Sequence, residues 1–248
     1  MCIISIITPT FNSERFIKQT LDSILSQTFT HWELLITDDC SSDRTLEIVR
    51  NYMKNDNRIK LFVLDKNSGP GVARNNSILK SKGDYIAFCD SDDMWEPNKL
   101  EIQLKHMQKY KQLFSFTDYK VVDESGKNLG VVRAPKKITF YKMLSNNYVG
   151  CLTVMYKKNF TNDLLMPNLK KRQDWVLWLK ILKKIKVAYS LKRPLSVYRK
   201  RNDSISNNKL SLLKYNWRVY NSCMSYNKFL SFLLMLNFLF HYGYKKMR

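Results

Sequence analysis

Four short apolar runs alternate with segments of helical periodicity in the first hundred residues. The runs, predicted to be buried strands because several are rich in β-branched residues, cover 3–8, 32–37, 59–64 and 85–89. Between them, apolar residues at helical spacing predict helices over 15–26, 44–53 and 72–79. Strands and helices that alternate in this way form right-handed crossovers and a parallel sheet, which binds ligands beyond the carboxyl ends of its strands. The chain is therefore predicted to be an α/β protein whose functional residues follow its strands.

The pattern becomes mixed after residue 100. A helix is predicted over 97–109, a strand over 113–122, a hairpin turn at 123–128, a helix over 174–184, and a helical segment from 207 to the end. Together with the first half, this predicts one mixed, mainly parallel sheet flanked by helices, followed by a helical C-terminal extension. The 248 residues are 44% hydrophobic, which suffices for a buried core and excludes a disordered chain.

Positive charge is concentrated in the second part of the chain. Residues 1–100 carry a net charge of −2 and residues 101–248 a net charge of +23, within a total of +21. Such asymmetry indicates an anionic partner, either a nucleic acid, a membrane surface or a phosphorylated substrate, unless it is only a solvated lysine-rich surface. No recognised DNA-binding or RNA-binding motif occurs in the sequence, so we expect no specific nucleic acid partner.

The C-terminal segment contains an apolar stretch of twelve residues, 229–240 (FLSFLLMLNFLF), between Lys228 and the basic tail 245–248. A helix needs about 20 apolar residues to span a bilayer, so this stretch is too short to cross one. Its composition is typical of a helix that lies on an anionic membrane surface. The alternative is a helix that packs on the domain or on a partner subunit, and the sequence does not indicate an oligomeric state.

The cysteines and the N-terminus bear on the cellular compartment. The five cysteines, at positions 2, 40, 89, 151 and 223, are widely spaced and form no CxxC pair. This usage predicts neither a disulfide framework nor a zinc site and favours the reducing cytoplasm. The apolar residues 1–7 lack a basic leader, so we interpret them as part of the first strand rather than as a signal peptide.

Two acidic clusters follow predicted strands. They are Asp38 and Asp39 after the second strand, and Asp90, Asp92 and Asp93, with Ser91 between them, after the fourth. The carboxylates of Asp38 and Asp39 can accept hydrogen bonds from a nucleobase or a ribose. The carboxylates after the fourth strand repel one another. A divalent cation such as Mg²⁺ or Mn²⁺, shared with substrate phosphates, relieves this repulsion. Two clusters at one edge of a sheet favour a ligand site over two solvated turns.

A third acidic residue, Asp174, stands alone in the basic segment 171–175 (KRQDW) at the start of a predicted helix. Its carboxylate can serve as a general base. The alternative is a salt-bridged N-cap of the helix, and the spacing alone does not decide between the two roles.

Six segments, in this order along the chain, resemble the signatures of the family 2 glycosyltransferases, which are nucleotide-sugar enzymes of the GT-A fold. They are 5–12 (SIITPTFN), 21–29 (LDSILSQTF), 38–45 (DDCSSDRT), 67–75 (NSGPGVARN), 83–93 (GDYIAFCDSDD) and 173–175 (QDW). The similarity is greatest to bacterial transferases that build surface polysaccharides of the O-antigen, capsule or teichuronic acid type. It implies a GT-A domain over 1–206, with a nucleotide-sugar half at 1–100 and an acceptor half at 101–206, and a helical extension over 207–248.

The resemblance also implies roles in binding a UDP-sugar. The residues expected to hold the uridine are Thr8, Pro9 and Thr10, together with Asp39 or its neighbour Asp38. Arg74 would lie beside the nucleotide. Asp90, Ser91 and Asp92 match the DxD motif of the family, in which Asp92 is the expected direct ligand of Mn²⁺ or Mg²⁺ and Asp90 the second carboxylate.

The chemistry implied by the resemblance is an inverting displacement in which Asp174 is the catalytic base. Gln173 occupies the position at which the family usually has a glutamate. Arg199, in the segment 198–206 (YRKRNDSIS) that resembles a loop closing over the diphosphate, is the expected phosphate contact. The acceptor would be a glycan on a lipid diphosphate, and the enzyme would attach peripherally to the inner face of the cell membrane.

Other classes of protein fit the sequence less well. A sugar-phosphate nucleotidyltransferase would be expected to carry a glycine-rich phosphate loop with a basic residue after its first strand, where this chain has Thr8 to Asn12. A basic membrane-binding or nucleic-acid-binding protein without enzyme activity would explain the charge, but it would give no reason for three carboxylate sites.

Overall fold

A computed structural model describes residues 3–161, 164–201 and 209–247. In this part of the chain ten strands form one mixed sheet. They are β1 (Ile4–Thr10), β2 (Trp32–Asp38), β3 (Ile59–Val63), β4 (Tyr85–Phe88), β5 (Met94–Trp95), β6 (Phe114–Val122), β7 (Asn128–Val132), β8 (Lys137–Thr139), β9 (Met155–Lys157) and β10 (Val187–Arg199). The main path through the sheet is β3-β2-β1-β4-β9-β6-β10-β5, while β7 pairs with β6 and β8 with β10.

Helices connect or flank these strands. They are α1 (Ile17–Leu25), α2 (Thr45–Asn55), α3 (Pro70–Lys80), α4 (Lys99–Lys109), α5 (Phe140–Ser145), α6 (Gln173–Ile185), α7 (Lys209–Arg218) and α8 (Lys228–Met247). Strands β1 to β4 run parallel, with α1, α2 and α3 in the three crossovers between them. The prediction of a parallel α/β unit in the first hundred residues is confirmed, and every residue of β1 and β2 is buried, as their apolar runs indicated.

The second half of the chain completes the sheet with strands of both directions. Strand β9 is antiparallel to both β4 and β6, whereas β6 and β10 pair in parallel. The hairpin turn predicted at 123–128 connects β6 to β7. The sequence analysis did not predict β10, because its residues (VAYSLKRPLSVYR) include three basic side chains and Pro194 and do not alternate regularly between apolar and polar. A register shift at Pro194 accommodates the proline within the sheet.

Helix α6 packs its aromatic side chains into the larger hydrophobic core. Trp175 and Trp178 are fully buried. The ring of Trp178 lies 5.6 Å from that of Phe88, the last residue of β4, and the ring of Trp175 lies 6.2 Å from that of Phe238 in α8. These contacts hold the start of α6, which carries Asp174, in a fixed position relative to the end of β4.

The C-terminal region is helical, as predicted, but the helix is interrupted. Helix α7 continues as a π-helical turn over Val219–Cys223 and is followed by residues 224–227, where Ser225 has a left-handed φ of 57°. The chain then turns back, and α8 packs on α5 and α7. Within α8, Ser231 and Phe238 are buried, so one side of the helix belongs to the core.

The opposite side of α8 is apolar and exposed. Phe229, Phe232 and Phe240 are 72%, 54% and 71% exposed. We call this row, together with the exposed Leu233 and Leu236, the α8 apolar face. None of the helices in the described part of the chain combines the length and apolarity needed to cross a membrane.

Candidate active site

The carboxyl ends of β1, β2 and β4 meet at one edge of the sheet. Thr10 is opposite Asp38 in the ladder between β1 and β2, and Ile7 is opposite Phe88 in the ladder between β1 and β4. Asp90 follows Phe88 by two residues, so the two acidic clusters lie at the same edge. This is the edge at which a parallel sheet binds its ligands.

Asp38 is fully buried and holds its own loop. Its carboxylate accepts hydrogen bonds from Thr10 Oγ1 at 2.9 Å, from the Ser41 backbone N–H at 2.8 Å and from Ser41 Oγ at 2.6 Å. Thr8 and Pro9 precede Thr10 on β1 and are buried too. The Thr8 hydroxyl has no hydrogen-bond partner within the described residues.

Asp39 connects the β2 edge to the loop before α3. Its two carboxylate oxygens accept hydrogen bonds from the backbone N–H groups of Ser68 at 2.6 Å and Gly69 at 2.7 Å. Gly69 has a φ of 91°, a left-handed conformation that favours glycine, and it immediately precedes α3. Asp39 therefore positions the helix that carries Arg74.

Arg74 lies behind the second acidic cluster. Its Nη2 donates to Asp90 Oδ1 at 2.6 Å, and its Nε and Nη1 are buried without a hydrogen-bond partner among the described residues. Burial lowers the pKa of Arg74, but Asp90, Cys151 and Asp174 outweigh burial, so the pKa is raised and the guanidinium stays charged. Arg74 thus neutralises the charge of Asp90, and Asp174 also favours the charged form of Arg74.

Asp92 pairs with a second arginine. Arg201 Nη1 donates to Asp92 Oδ2 at 3.0 Å. Burial and the neighbouring Asp90 carboxylate raise the pKa of Asp92, and Arg201 opposes them. The Ser91 side chain points elsewhere, with its Oγ 2.7 Å from Ser13 Oγ. Each carboxylate of the DxD motif therefore has its own arginine, and the Ser91 hydroxyl helps to hold the turn.

Arg199, the expected phosphate contact, is bound by groups of the protein itself. It is 2% exposed, and its guanidinium donates to the backbone carbonyls of Asp92, Asp123 and Glu124 and to the side chain of Gln19. Its Nε, Nη1 and Nη2 are thus already engaged by protein acceptors. In the described part of the segment 198–206, Arg201 is the cation that pairs with a carboxylate of the DxD motif, whereas residues 202–206 lie outside the described residues.

Asp174 lies in the first turn of α6 and is half-buried. Its Oδ2 accepts a hydrogen bond from Asn147 Nδ2 at 3.0 Å, a contact that the sequence did not indicate. Burial raises the pKa of the Cys151 thiol, Arg74 opposes this effect, and Asp90 and Asp174 raise the pKa further. Asp90 and Asp174 are thus both close enough to Cys151 to affect the pKa of its thiol.

Close packing fixes α3 against the start of α6. A Cβ atom added to Gly71 would lie 2.9 Å from the carbonyl oxygen of Pro167 and 3.4 Å from Cβ of Gln173, so only glycine permits this approach. The Asn75 side chain also exchanges two hydrogen bonds with the backbone of Met166, at 2.8 and 2.9 Å. The two helices therefore hold Arg74 and Asp174 in a defined relation.

The residues present suit a cation that is shared with a substrate. Among residues 3–161, 164–201 and 209–247, no three His, Cys, Asp or Glu side chains are grouped closely enough to hold a metal ion. Two carboxylates on one turn are, however, the donor set that Mg²⁺ or Mn²⁺ uses when phosphate oxygens and water complete its coordination. Asp90 and Asp92 fit such a cation, because burial and then repulsion by Asp90 raise the pKa of Asp92, and the cation would relieve that repulsion.

The fold and the site define a glycosyltransferase of the GT-A fold. The chain belongs to the family described as glycosyl transferase family 2, whose model matches residues 5–160. This confirms the family inferred from the sequence signatures and the class of enzyme.

Two curated relatives share most of their length with this chain. The putative teichuronic acid biosynthesis glycosyltransferase TuaG of Bacillus subtilis is 43% identical over 219 residues, which cover 88% of this chain and 87% of TuaG. The UDP-Glc:alpha-D-GlcNAc-diphosphoundecaprenol beta-1,3-glucosyltransferase WfgD of Escherichia coli is 39% identical over 218 residues, which cover 88% of this chain and 85% of WfgD.

Solved structures of lower identity share the fold. Residues 1–349 of TarS from S. aureus in complex with UDP-GlcNAc match with a TM-score of 0.71 at 22% identity, over 95% of this chain and 71% of the TarS chain. The mannosyltransferase PcManGT from Pyrobaculum calidifontis, in complex with GDP-Man and Mn²⁺, matches with a TM-score of 0.68 at 16% identity, over 91% of this chain and 65% of its own. Both matches support the GT-A architecture.

Proposed function

We propose that this enzyme transfers a sugar from a UDP-sugar to a hydroxyl group of a lipid-diphosphate-linked glycan in bacterial surface polysaccharide synthesis, with inversion at the anomeric carbon. One observation carries the proposal: Arg74 on α3 donates to Asp90 of the DxD motif, and α3 packs closely against the start of α6, which carries Asp174. This packing supports a donor-phosphate site and a candidate base that act together. The acceptor class rests on WfgD, whose name specifies a GlcNAc-diphosphoundecaprenol acceptor.

The donor would lie along the sheet edge. In this proposal Thr8, Pro9, Thr10 and the Asp39 loop surround the uridine, and Asp90 and Asp92 face the diphosphate. Asp38 supports the uridine side indirectly, because its carboxylate is already bound by Thr10 and Ser41. Mn²⁺ or Mg²⁺ held by Asp92 and Asp90 would supply positive charge to the departing UDP. Arg201 is the protein cation we assign to the diphosphate in place of Arg199.

The proposed reaction is a single displacement. The acceptor hydroxyl oxygen forms a bond to C1 of the sugar, the bond between C1 and the β-phosphate oxygen breaks, and UDP leaves with the bonding electrons. Asp174 takes the hydroxyl proton as the bond forms. Asn147 orients the Asp174 carboxylate by donating to Oδ2. Attack from the side opposite the leaving group inverts the configuration at C1.

The test of this function is release of nucleotide from a panel of UDP-, GDP- and dTDP-sugars, with Mn²⁺, with Mg²⁺ and with EDTA. We expect release from a UDP-sugar that depends on the metal and rises when a lipid-diphosphate glycan is added. A GDP- or dTDP-sugar as the preferred donor would contradict the uridine assignment. Unchanged nucleotide release in EDTA would contradict the proposed dependence on a metal ion.

We also propose that residues 1–206 form the catalytic domain, 101–206 its acceptor half, and 207–248 an extension that attaches the enzyme to the inner face of the membrane. The α8 apolar face supports this attachment, because rows of exposed aromatic and leucine side chains on a helix insert into the boundary of a bilayer. The exposed Lys214, Arg218 and Lys228 would favour an anionic leaflet. The side chains of the basic tail 245–248 lie outside the described residues.

Charged residues on the α8 apolar face should release the protein from membranes. For the double variant Phe232→Glu/Phe240→Glu we expect binding to anionic liposomes to fall by about 10-fold or more, since each buried aromatic contributes more than about 1 kcal/mol. The measurement is cosedimentation with phosphatidylglycerol vesicles.

The matched control is Leu79→Glu/Tyr110→Glu, which charges two exposed apolar residues on α3 and after α4. Deletion of 228–248 is a poorer test because it also removes Phe238 from the core. Equal binding of both double variants would contradict the proposal.

A further inference from the structure

A small pocket lies directly beside Asp174. It has a volume of about 160 Å³. Its lining includes Tyr119, Arg133, Asn147, Tyr148, Arg172 and Asp174. The proposed catalytic base thus shares a cavity with two arginines and two tyrosines. Since Asp174 is the only acidic residue on this lining and Asn147 already donates to it, the pocket offers cationic and hydroxyl donors to a bound group.

Arg172 is held rigidly in this pocket by its backbone and its stem. It has a left-handed φ of 68° immediately before α6, and its Nε donates to Asn216 Oδ1 at 3.0 Å. The guanidinium carbon lies 5.4 Å from the ring centroid of Trp175 and 6.0 Å from that of Phe238. Among the described residues, neither Nη atom donates a hydrogen bond to a protein acceptor. Two donors of a fixed guanidinium therefore remain available to a ligand in the pocket.

Two neighbours strengthen the preference of this pocket for an anion. Helix α6 begins at Gln173, so the positive end of a 13-residue helix lies next to Arg172. At the rim, Arg133 is 74% exposed and lies 3.5 Å from the buried Asp118, leaving most of its side chain in solvent. A rigid guanidinium beside a helix N-terminus suits phosphate oxygens, which accept two parallel hydrogen bonds from arginine.

We propose that Arg172 is the residue that recognises the phosphate groups of the acceptor, so that the enzyme prefers a glycosyl diphosphate over an uncharged glycoside. This inference rests on the proposed function, in which Asp90 and Asp92 face the diphosphate of the donor. Arg172 lines the same pocket as Asp174 and lies against Phe238 of α8. In this proposal the phosphate groups of the acceptor bind Arg172 while its sugar hydroxyl reaches Asp174.

The experiment compares three acceptors that share one sugar and one short alkyl chain, linked through a diphosphate, a monophosphate or a plain glycosidic bond. Arg172→Met keeps the length of the stem and removes the charged donors. We expect it to raise KM for the diphosphate acceptor by about 10- to 100-fold and to change KM for the plain glycoside by less than about 2-fold. Arg172→Lys keeps the charge but not the planar fork, and should fall between the wild type and Arg172→Met. Arg50→Met, which removes an exposed arginine of α2, is the charge-matched control.

A second readout separates this inference from the proposed function. Binding of benzyl diphosphate is measured by calorimetry with UDP at saturation, so that the donor site is filled, and we expect the affinity to fall in Arg172→Met and not in Arg50→Met. If no donor in the panel supports transfer, the proposed function is overturned. The calorimetry still tests the role of Arg172 in that case, because it measures binding and not transfer. Equal losses on all three acceptors would make Arg172 a positioning residue for Asp174. A weaker affinity for UDP itself, with acceptor preference unchanged, would assign Arg172 to the donor. Either outcome overturns the inference.

Discussion

Replacing Asp174 with asparagine should reduce sugar transfer by about 10²- to 10⁴-fold, the range that a general base contributes. Asparagine has the same shape, and its amide oxygen can still accept the hydrogen bond from Asn147 Nδ2. The side chain can no longer take a proton from the acceptor hydroxyl. Binding of the UDP-sugar should change little, because the donor is proposed to contact the sheet edge and the DxD turn rather than the first turn of α6.

The measurement is kcat with saturating donor and acceptor, together with the dissociation constant of UDP from calorimetry. The matched control is Glu47→Gln, which neutralises a carboxylate on α2 that is 57% accessible and pairs with Arg44. A fall in kcat for Asp174→Asn with wild-type UDP affinity would identify a residue of the chemical step. Near wild-type turnover would show that the base is another group, and weaker UDP binding would show that Asp174 acts on the donor.

The sequence predicts the donor side of the site better than the acceptor side, and the difference has a physical cause. Asp38 and Asp90 follow short, β-branched or aromatic strands, and parallel strands bring their carboxyl ends to one edge. The local pattern of strands therefore predicts that Asp38 and Asp90, which are far apart in the sequence, lie at the same edge of the sheet. Asp174 and Asn147 instead meet through the packing of α6 on the core, and they lie 27 positions apart along a mostly irregular part of the chain. No periodicity in that segment indicates the contact.

The two arginines at the end of β10 show the same limit of prediction from sequence. Arg199 and Arg201 are two positions apart in one basic segment, and the sequence resemblance favoured Arg199. The structure gives them different environments, because Arg199 is drawn inward to backbone carbonyls whereas Arg201 reaches Asp92, 109 residues earlier in the chain. Which of two neighbouring cations faces a ligand depends on where the strand ends, and β10 itself was not predicted.

Replacing Asp92 with asparagine should remove the effect of Mn²⁺ on nucleotide binding. In the wild type we expect Mn²⁺ to tighten UDP binding, because a cation held by Asp92 and Asp90 can also take oxygens of the diphosphate. Asparagine retains the size of the side chain but not its charge, so the cation loses one of two protein carboxylates. We expect transfer to fall by at least about 100-fold, since charge stabilisation by a metal is worth several kcal/mol.

The neighbouring Asp93 provides the matched control for this substitution. Asp93 is 2% exposed, and its Oδ1 accepts a hydrogen bond from the Arg199 backbone N–H at 3.0 Å, so its carboxylate is engaged by the protein backbone. Asp93→Asn can preserve that hydrogen bond through its amide oxygen and should retain the Mn²⁺ enhancement of UDP binding. Calorimetric titration of UDP with Mn²⁺ and with EDTA distinguishes the two variants. If Asp92→Asn still binds UDP more tightly with Mn²⁺ than with EDTA, the cation is held elsewhere, and the pairs Arg74–Asp90 and Arg201–Asp92 would instead be structural ion pairs that order the turn.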